Sequence, residues 1–95
     1  MSIFDLSGRT AVITGGNGGI GLGIAQARNA QGCNVSIWGR NAEKNKSAAA
    51  TLSAGPGKVQ TLVCDVSDPA SVKMAMQATL DTFGRVDGCF ANAGI

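Results

Sequence analysis

The chain has 95 residues, of which 44% are hydrophobic and 15% are charged, and its formal net charge is +2. This balance indicates a folded globular domain and excludes a disordered tail, while so mild a charge argues against a nucleic-acid surface. The sequence lacks the run of roughly 20 apolar residues that a membrane span needs, and its N-terminus lacks the basic and apolar regions of a signal peptide.

The three cysteines, Cys33, Cys64 and Cys89, are far apart in the sequence and form no CxxC pair. This spacing favours neither a zinc site nor a disulfide framework, so we expect no bound metal. We expect all three to be small buried side chains in a reducing cytosol, and the protein to be cytoplasmic.

The first part of the chain predicts a strand, a helix and a second strand. Residues Thr10–Thr14 are apolar on both faces, as buried parallel strands are. A helix is predicted from Gly18 to Gln31, and Gly32 stops it. A second strand follows at Val35–Trp38. The apolar stripe predicted for the helix, at i, i+4 and i+7, consists of Ile20, Ile24 and Ala27.

The second part predicts a helix, a strand, a helix and a final strand. Asn41 can cap a helix that runs to about Ser53, and a strand follows at Val59–Cys64. Ser67 or Asp68 can cap the third helix, which has Pro69 in its first turn, ends at Gly84 and precedes a fourth strand at Val86–Ala91. The apolar stripe predicted for this helix consists of Val72, Met76, Phe83 and either Leu80 or Thr79.

This alternation predicts a Rossmann-type, doubly wound α/β fold with a parallel sheet and helices on both faces. Right-handed crossovers predict the strand order 3-2-1-4. We interpret residues 1–95 as the N-terminal part of a single Rossmann domain, incomplete in this segment. The fourth strand, apolar on both faces, would then form an exposed edge, so a fragment of 95 residues is expected to be marginally stable or to self-associate.

A glycine-rich turn at Thr14–Gly21 lies between the first strand and the first helix. Gly15 permits a sharp turn, Gly19 lets the backbone approach a pyrophosphate, and Gly21 lets the helix lie close to the strand. The N–H groups and the dipole at the start of the helix favour a negatively charged ligand. The turn therefore predicts a nicotinamide dinucleotide site, and the alternative is a turn that serves packing alone.

The end of the second strand indicates which dinucleotide is bound. In NAD-binding folds an acidic residue about 20 positions after the glycine turn holds the ribose 2′-hydroxyl. That position falls near Gly39, where the sequence has no carboxylate, and Arg40 follows it. A guanidinium can bind a 2′-phosphate bidentately, so we predict NADP in preference to NAD, the alternative being a surface arginine. Asn41 either adds a hydrogen bond to this phosphate or only caps its helix.

Three motifs resemble the N-terminal part of the short-chain dehydrogenases/reductases, and the match extends over essentially the whole chain. They are the TGGNGGIG segment at Thr14–Gly21, the pair Asp65-Val66 and the triplet Asn92-Ala93-Gly94. The chain departs from the pattern at Ala91, where many members of the family have a second asparagine.

The resemblance implies that Asp65 accepts a hydrogen bond from the adenine amino group and that the Val66 backbone contacts the ring. The alternative for Asp65 is a turn residue at the end of a strand. The resemblance also implies that residues 92–94 run beside the adenine-side ribose and that Ile20 lies on the pyrophosphate and nicotinamide side. The predicted cofactor-binding residues are Gly15, Asn17, Gly18, Gly19, Ile20, Gly21, Arg40, Asn41, Asp65, Val66, Asn92, Ala93 and Gly94.

The proton donor that carbonyl reduction requires is missing from this sequence. The family supplies it through the tyrosine of a YxxxK motif, and this chain contains no tyrosine. We therefore predict no catalytic residue here and interpret the chain as the cofactor-binding half of a longer oxidoreductase, inactive by itself.

The resemblance implies interconversion of an alcohol and a carbonyl on a small molecule, by a dimer or tetramer of the full-length protein. Sugars, polyols, steroids and acyl thioesters all remain open as substrates. The alternative is a non-catalytic dinucleotide-binding or structural module that ends near residue 95. A YxxxK motif further along the reading frame would support the enzyme, and a stop codon would support the module.

Overall fold

Strands and helices alternate in the computed structural model, which describes residues 7–15 and 18–91. The helices are α1 (Gly19–Ala30), α2 (Ala42–Leu52) and α3 (Pro69–Phe83). The strands are β1 (Thr10–Thr14), β2 (Asn34–Gly39), β3 (Val59–Val63) and β4 (Gly88–Ala91).

All the strands pair in parallel, in the order β3-β2-β1-β4, which confirms the predicted topology. β1 lies inside the sheet, and each of its residues is buried. A strand covered by helices on both faces has no side for polar residues, which explains why β1 and most of β2 are apolar without alternation.

Two hydrophobic clusters lie on opposite faces of the sheet, so the fold is doubly wound as predicted. The cluster under α1 and α2 has a buried centre of Ile13, Ala25, Val35, Ile37 and Leu52. The cluster under α3 has a buried centre of Val12, Trp38, Cys64 and Ala75.

The helix ends follow the local sequence signals. The Asn41 side chain accepts a hydrogen bond from Lys44 N at 3.0 Å and so caps α2. Asp68, and not Ser67, caps α3 by accepting from Ala70 N at 3.1 Å, and Pro69 follows where no N–H is required. Gly84 ends α3 in the left-handed conformation, with φ +79°.

The predicted apolar stripe of α1 was wrong in detail. Ile20 is 66% exposed and Ala27 is also exposed, whereas the buried residues are Gly21, Ala25 and Asn29. The helix faces the sheet with its smallest side chains, because these let the two backbones approach closely. The larger side chains of Leu22 and Ile24 are only partly buried and pack against the same hydrophobic cluster as Ala25.

On α3 the structure selects Thr79 over Leu80 as the buried residue. Leu80 is exposed, whereas the Thr79 hydroxyl is buried 2.9 Å from Ser36 Oγ. Met76 packs against the core as predicted, whereas Met74 is exposed.

β4 begins at Gly88, two residues later than predicted. Asp87 precedes it and pairs with the start of β1 through both its backbone N–H and its side chain. Cys89 is exposed, which corrects the expectation that all three cysteines are buried. Among the described residues, α3 packs mainly on β2 and β3 and does not bury this side chain of β4.

Candidate cofactor site

The carboxyl ends of three neighbouring strands bring several predicted site residues to one edge of the sheet. Gly15 follows β1, Arg40 follows β2, and Asp65 comes two residues after β3. In open parallel sheets this edge is where ligands bind. The predicted residues Asn17, Asn92, Ala93 and Gly94 lie outside the described residues.

The glycine turn has the backbone geometry that its composition predicts. Gly15 and Gly19 have φ values of +68° and +56°, a region that side chains other than hydrogen disfavour. Gly15 N donates to the Trp38 carbonyl oxygen at 2.9 Å, so pairing with β2 continues up to the turn. A Cβ added to Gly18 or Gly19 would meet no described atom within 4 Å, so there is space over this turn.

The start of α1 presents donors to that space. The N-cap is Gly18, so no N-cap side chain occupies the first N–H groups of the helix. The first turn also has no acidic residue. The first N–H groups of a helix carry partial positive charge and lack partners within the helix. Exposed Ile20 lies in the same turn, while Gly21 is buried. Donors, space and glycines in the left-handed conformation together fit the pyrophosphate of a dinucleotide.

Arg40 is an exposed cation at the end of β2. The strand and the first residues after it, from Asn34 to Ala42, contain no carboxylate. Asn41 uses Oδ1 to cap α2, so capping is the role that the structure shows for it. Its contact with a phosphate stays a prediction.

Asp65 is held by its own loop. Its Oδ1 accepts from Ser67 N at 2.9 Å and from Ser67 Oγ at 2.6 Å, and its backbone N donates to Ser71 Oγ at 3.0 Å. The Ser67 hydrogen bonds lower the pKa of Asp65, and the positive charge of Arg40 adds to this effect. Asp65 is therefore an ionised acceptor at neutral pH, which suits an adenine amino group, and it also forms the predicted turn at the strand end.

Asn45, which was not predicted from the sequence, is a buried residue of α2 that donates to the ends of two strands. Its Nδ2 lies 3.0 Å from the Gly39 carbonyl oxygen and 3.2 Å from that of Leu62. The available signal was its spacing, because Asn45 shares the buried face of α2 with Ala48 and Leu52. A polar side chain at an apolar position of a helix needs buried partners.

Among the described residues, no group of three or more His, Cys, Asp or Glu side chains is placed to hold a metal ion. In the same part of the chain, no helix combines the length and the hydropathy that crossing a membrane requires.

Residues 9–95 match the family model of the short chain dehydrogenases. A 3-oxoacyl-acyl-carrier-protein reductase from Chlamydia muridarum is 44% identical over 91 residues, which are 95% of this chain and 37% of that protein. The chain thus spans little more than a third of the length of this relative.

Solved structures have the same fold. A metagenomic short-chain oxidoreductase in complex with NADP is 32% identical with a TM-score of 0.89, over 96% of this chain and 41% of that one. An NAD+-bound xylitol dehydrogenase is 28% identical with a TM-score of 0.91, over 99% of this chain and 35% of that one. The motifs, the topology and these matches agree, and the chain belongs to the short-chain dehydrogenase/reductase family of oxidoreductases.

Proposed function

We propose that this chain is the cofactor-binding half of an NADP(H)-dependent oxidoreductase that interconverts an alcohol and a carbonyl on a small molecule. The observation that carries the choice of NADP is the end of β2, where Arg40 is exposed and no carboxylate is present. A carboxylate at this place would repel a 2′-phosphate, whereas a guanidinium can bind it through two hydrogen bonds.

Each group at the edge of the sheet has a defined part in this proposal. The N–H groups of the glycine turn and of the first turn of α1 hold the pyrophosphate. Arg40 binds the 2′-phosphate, and Asp65 accepts a hydrogen bond from the adenine amino group. The nicotinamide cofactor supplies or accepts the hydride.

The remaining steps are assigned outside residues 1–95. The sequence has no tyrosine, so the proton donor for the carbonyl oxygen is proposed to come from a later part of a longer enzyme. We propose that this enzyme is a cytoplasmic dimer or tetramer with a small-molecule substrate, and without nucleic-acid or membrane partners.

The cofactor proposal is tested by replacing Arg40 in the full-length protein and measuring Kd for NADPH and NADH by calorimetry. Loss of a charge-assisted contact is expected to weaken NADPH binding by at least about tenfold in Arg40→Ala. The loss should be larger in Arg40→Asp, because a carboxylate repels the 2′-phosphate. NADH, which lacks that phosphate, should bind almost as before.

Lys58→Ala is the matched control, because it also removes one exposed positive charge. Lys58 lies just before β3, at the amino ends of the strands and therefore opposite to the site. This variant should leave both Kd values unchanged. Equal losses of NADPH and NADH affinity in the Arg40 variants would contradict the proposed role of the guanidinium.

A further inference from the structure

One buried carboxamide joins α2 to the ends of two strands. Asn45 is only 3% exposed, and its Nδ2 donates to the carbonyl oxygens of Gly39 and Leu62 at 3.0 and 3.2 Å. Its backbone N donates to the Asn41 carbonyl oxygen at 3.0 Å, which fixes it within the first turn of the helix. Both N–H bonds of the side-chain amide are thus directed at the strand ends.

These strand ends lead directly into the two charged residues of the cofactor site. Gly39 is followed at once by Arg40, and Leu62 lies three positions before Asp65. The Gly39 carbonyl oxygen also accepts from Cys64 N at 3.2 Å. This hydrogen bond joins β2 and β3 once more, at the point where the two strands end. The segments that lead to Arg40 and Asp65 therefore leave the sheet from points that are joined through this carbonyl group.

Only a donor suits this position between the two strand ends. Two carbonyl oxygens that converge on one point repel each other unless a donor lies between them, and without the amide the Gly39 oxygen would keep only its hydrogen bond from Cys64 N. An apolar residue, which the pattern of α2 would otherwise favour here, would supply no donor. Loss of the amide should let the two strand ends move apart, and their loops with them.

We propose that Asn45 is a positioning residue for the adenosine end of the cofactor, which sets the separation of Arg40 and Asp65 without touching the nucleotide. This inference rests on the proposed function, since it concerns the same NADP(H) site. It adds a determinant of nucleotide affinity on the buried face of α2, beneath the residues that contact the ligand.

The chain contains a matched control for a buried asparagine. Asn29 is 2% exposed, and its Nδ2 donates to the Gly57 carbonyl oxygen at 2.8 Å. Gly57 precedes β3, so this hydrogen bond lies at the edge of the sheet opposite to the site. Asn29→Ala and Asn45→Ala remove the same group from equally buried places, and only one of these places adjoins Arg40 and Asp65.

The experiment measures Kd for NADPH and NADH, kcat, KM and Tm for the full-length protein and the two variants. Both variants should have a lower Tm, because Asn29→Ala loses one side-chain hydrogen bond and Asn45→Ala loses two. Asn45→Ala should raise Kd and KM for NADPH by about tenfold, the scale of one lost hydrogen bond, with kcat at saturating NADPH little changed. Asn29→Ala should leave Kd unchanged.

An unchanged Kd in Asn45→Ala, or an equal rise in Asn29→Ala, would overturn this inference while the wild-type protein still bound NADPH. A wild-type protein that binds neither nucleotide would overturn the proposed function, and this inference with it. If Asn45→Ala does not fold, Asn45→Ser, which keeps one short donor, is judged by the same criterion against Asn29→Ser.

Discussion

At the scale of single residues, glycine serves two different purposes in this chain. Gly15 and Gly19 supply the left-handed backbone of the turn before α1. Gly57 instead allows close approach, because a Cβ there would lie 2.0 Å from the Cys33 carbonyl oxygen and 2.9 Å from Asn29 Nδ2. The nearest obstacle is backbone and cannot rotate away, so the loop before β3 can lie against the start of β2 only with glycine at this position.

We predict that Gly57→Ala destabilises the full-length protein by about 3 kcal/mol, through overpacking against this carbonyl group. Urea denaturation measures the change. Gly23→Ala is the control, since Gly23 is exposed within α1 and an added Cβ would meet nothing within 4 Å. It should stabilise the protein by about 0.5–1 kcal/mol, because alanine favours a helix. A tolerated Gly57→Ala would show that this contact can relax.

At the scale of elements, α3 is joined to the sheet by polar groups as well as apolar ones. Thr79 Oγ1 lies 2.9 Å from Ser36 Oγ and 2.9 Å from the Ala75 carbonyl oxygen. Ser36 Oγ is also 3.0 Å from Trp38 Nε1 and 3.1 Å from Gln60 Oε1. These directional contacts connect α3 with β2 and β3 and restrict how the helix can slide over them.

Thr79→Val should therefore lower the free energy of unfolding by about 1–2 kcal/mol, because it removes a buried hydrogen-bonding hydroxyl while nearly preserving volume. Thr51→Val is the matched control. Thr51 also bonds the carbonyl group four residues earlier, with Oγ1 3.1 Å from the Ser47 oxygen, but it is exposed on α2. Its effect should stay within about 0.5 kcal/mol. Equal effects on thermal or urea unfolding would show that the Ser36 contact adds nothing.

The elements show how far a sequence prediction extends. Their type and order were predictable because caps, stops and strand patterns are local signals. The face that each helix buries was not, since it depends on the distance between helix and sheet. Gly21 and Ala25 face β1 because they are small, and Thr79 is buried because Ser36 provides a partner across the interface.

The same limit applies to the candidate site. Gly15, Arg40 and Asp65 were each predicted to follow a strand, and the structure brings the ends of these strands together at one edge of the sheet. Asn45 was missed because a polar residue near the start of a helix is usually solvated. Its spacing from Ala48 and Leu52 indicated the buried face, but its partners at the strand ends follow only from the way α2 packs across β2 and β3.

At the scale of the whole molecule, Asp87 links the start of β4 to the start of β1 through hydrogen bonds. Thr10 N donates to Asp87 Oδ2 at 2.8 Å, and Asp87 N donates to the Thr10 carbonyl oxygen at 2.8 Å. Arg85 Nε donates to both oxygens of the same carboxylate, at 3.0 and 2.8 Å. The Arg85 hydrogen bonds and the Thr10 N–H lower the pKa of Asp87.

This lowered pKa predicts a pH-dependent stability. The ionised carboxylate should stabilise the fold fully above the ordinary aspartate pKa of about 3.9, and this contribution should disappear as pH falls through the lowered pKa of the folded state. Asp87→Asn should therefore be less stable than wild type at neutral pH, and the difference should vanish in acid. Thermal unfolding across that range measures it.

Asp81→Asn, which removes a carboxylate from the exposed side of α3, is the control for the change in net charge. Its stability at neutral pH should stay close to that of the wild-type protein. A difference between wild type and Asp87→Asn that persists unchanged in acid would show that the carboxylate acts by its shape and not by its charge.

The inner position of β1 also determines the order in which the sheet can assemble. β1 reaches β2 across the single helix α1, pairing Thr10 with Asn34, but its pairing of Ala11 with Gly88 must close most of the chain. Longer closures cost more entropy and slow folding. We expect β1, α1 and β2 to form the folding nucleus. During synthesis, the backbone groups of β1 that pair with β4 then stay unpaired until residue 91 has left the ribosome. Chaperones can reach these groups in that interval.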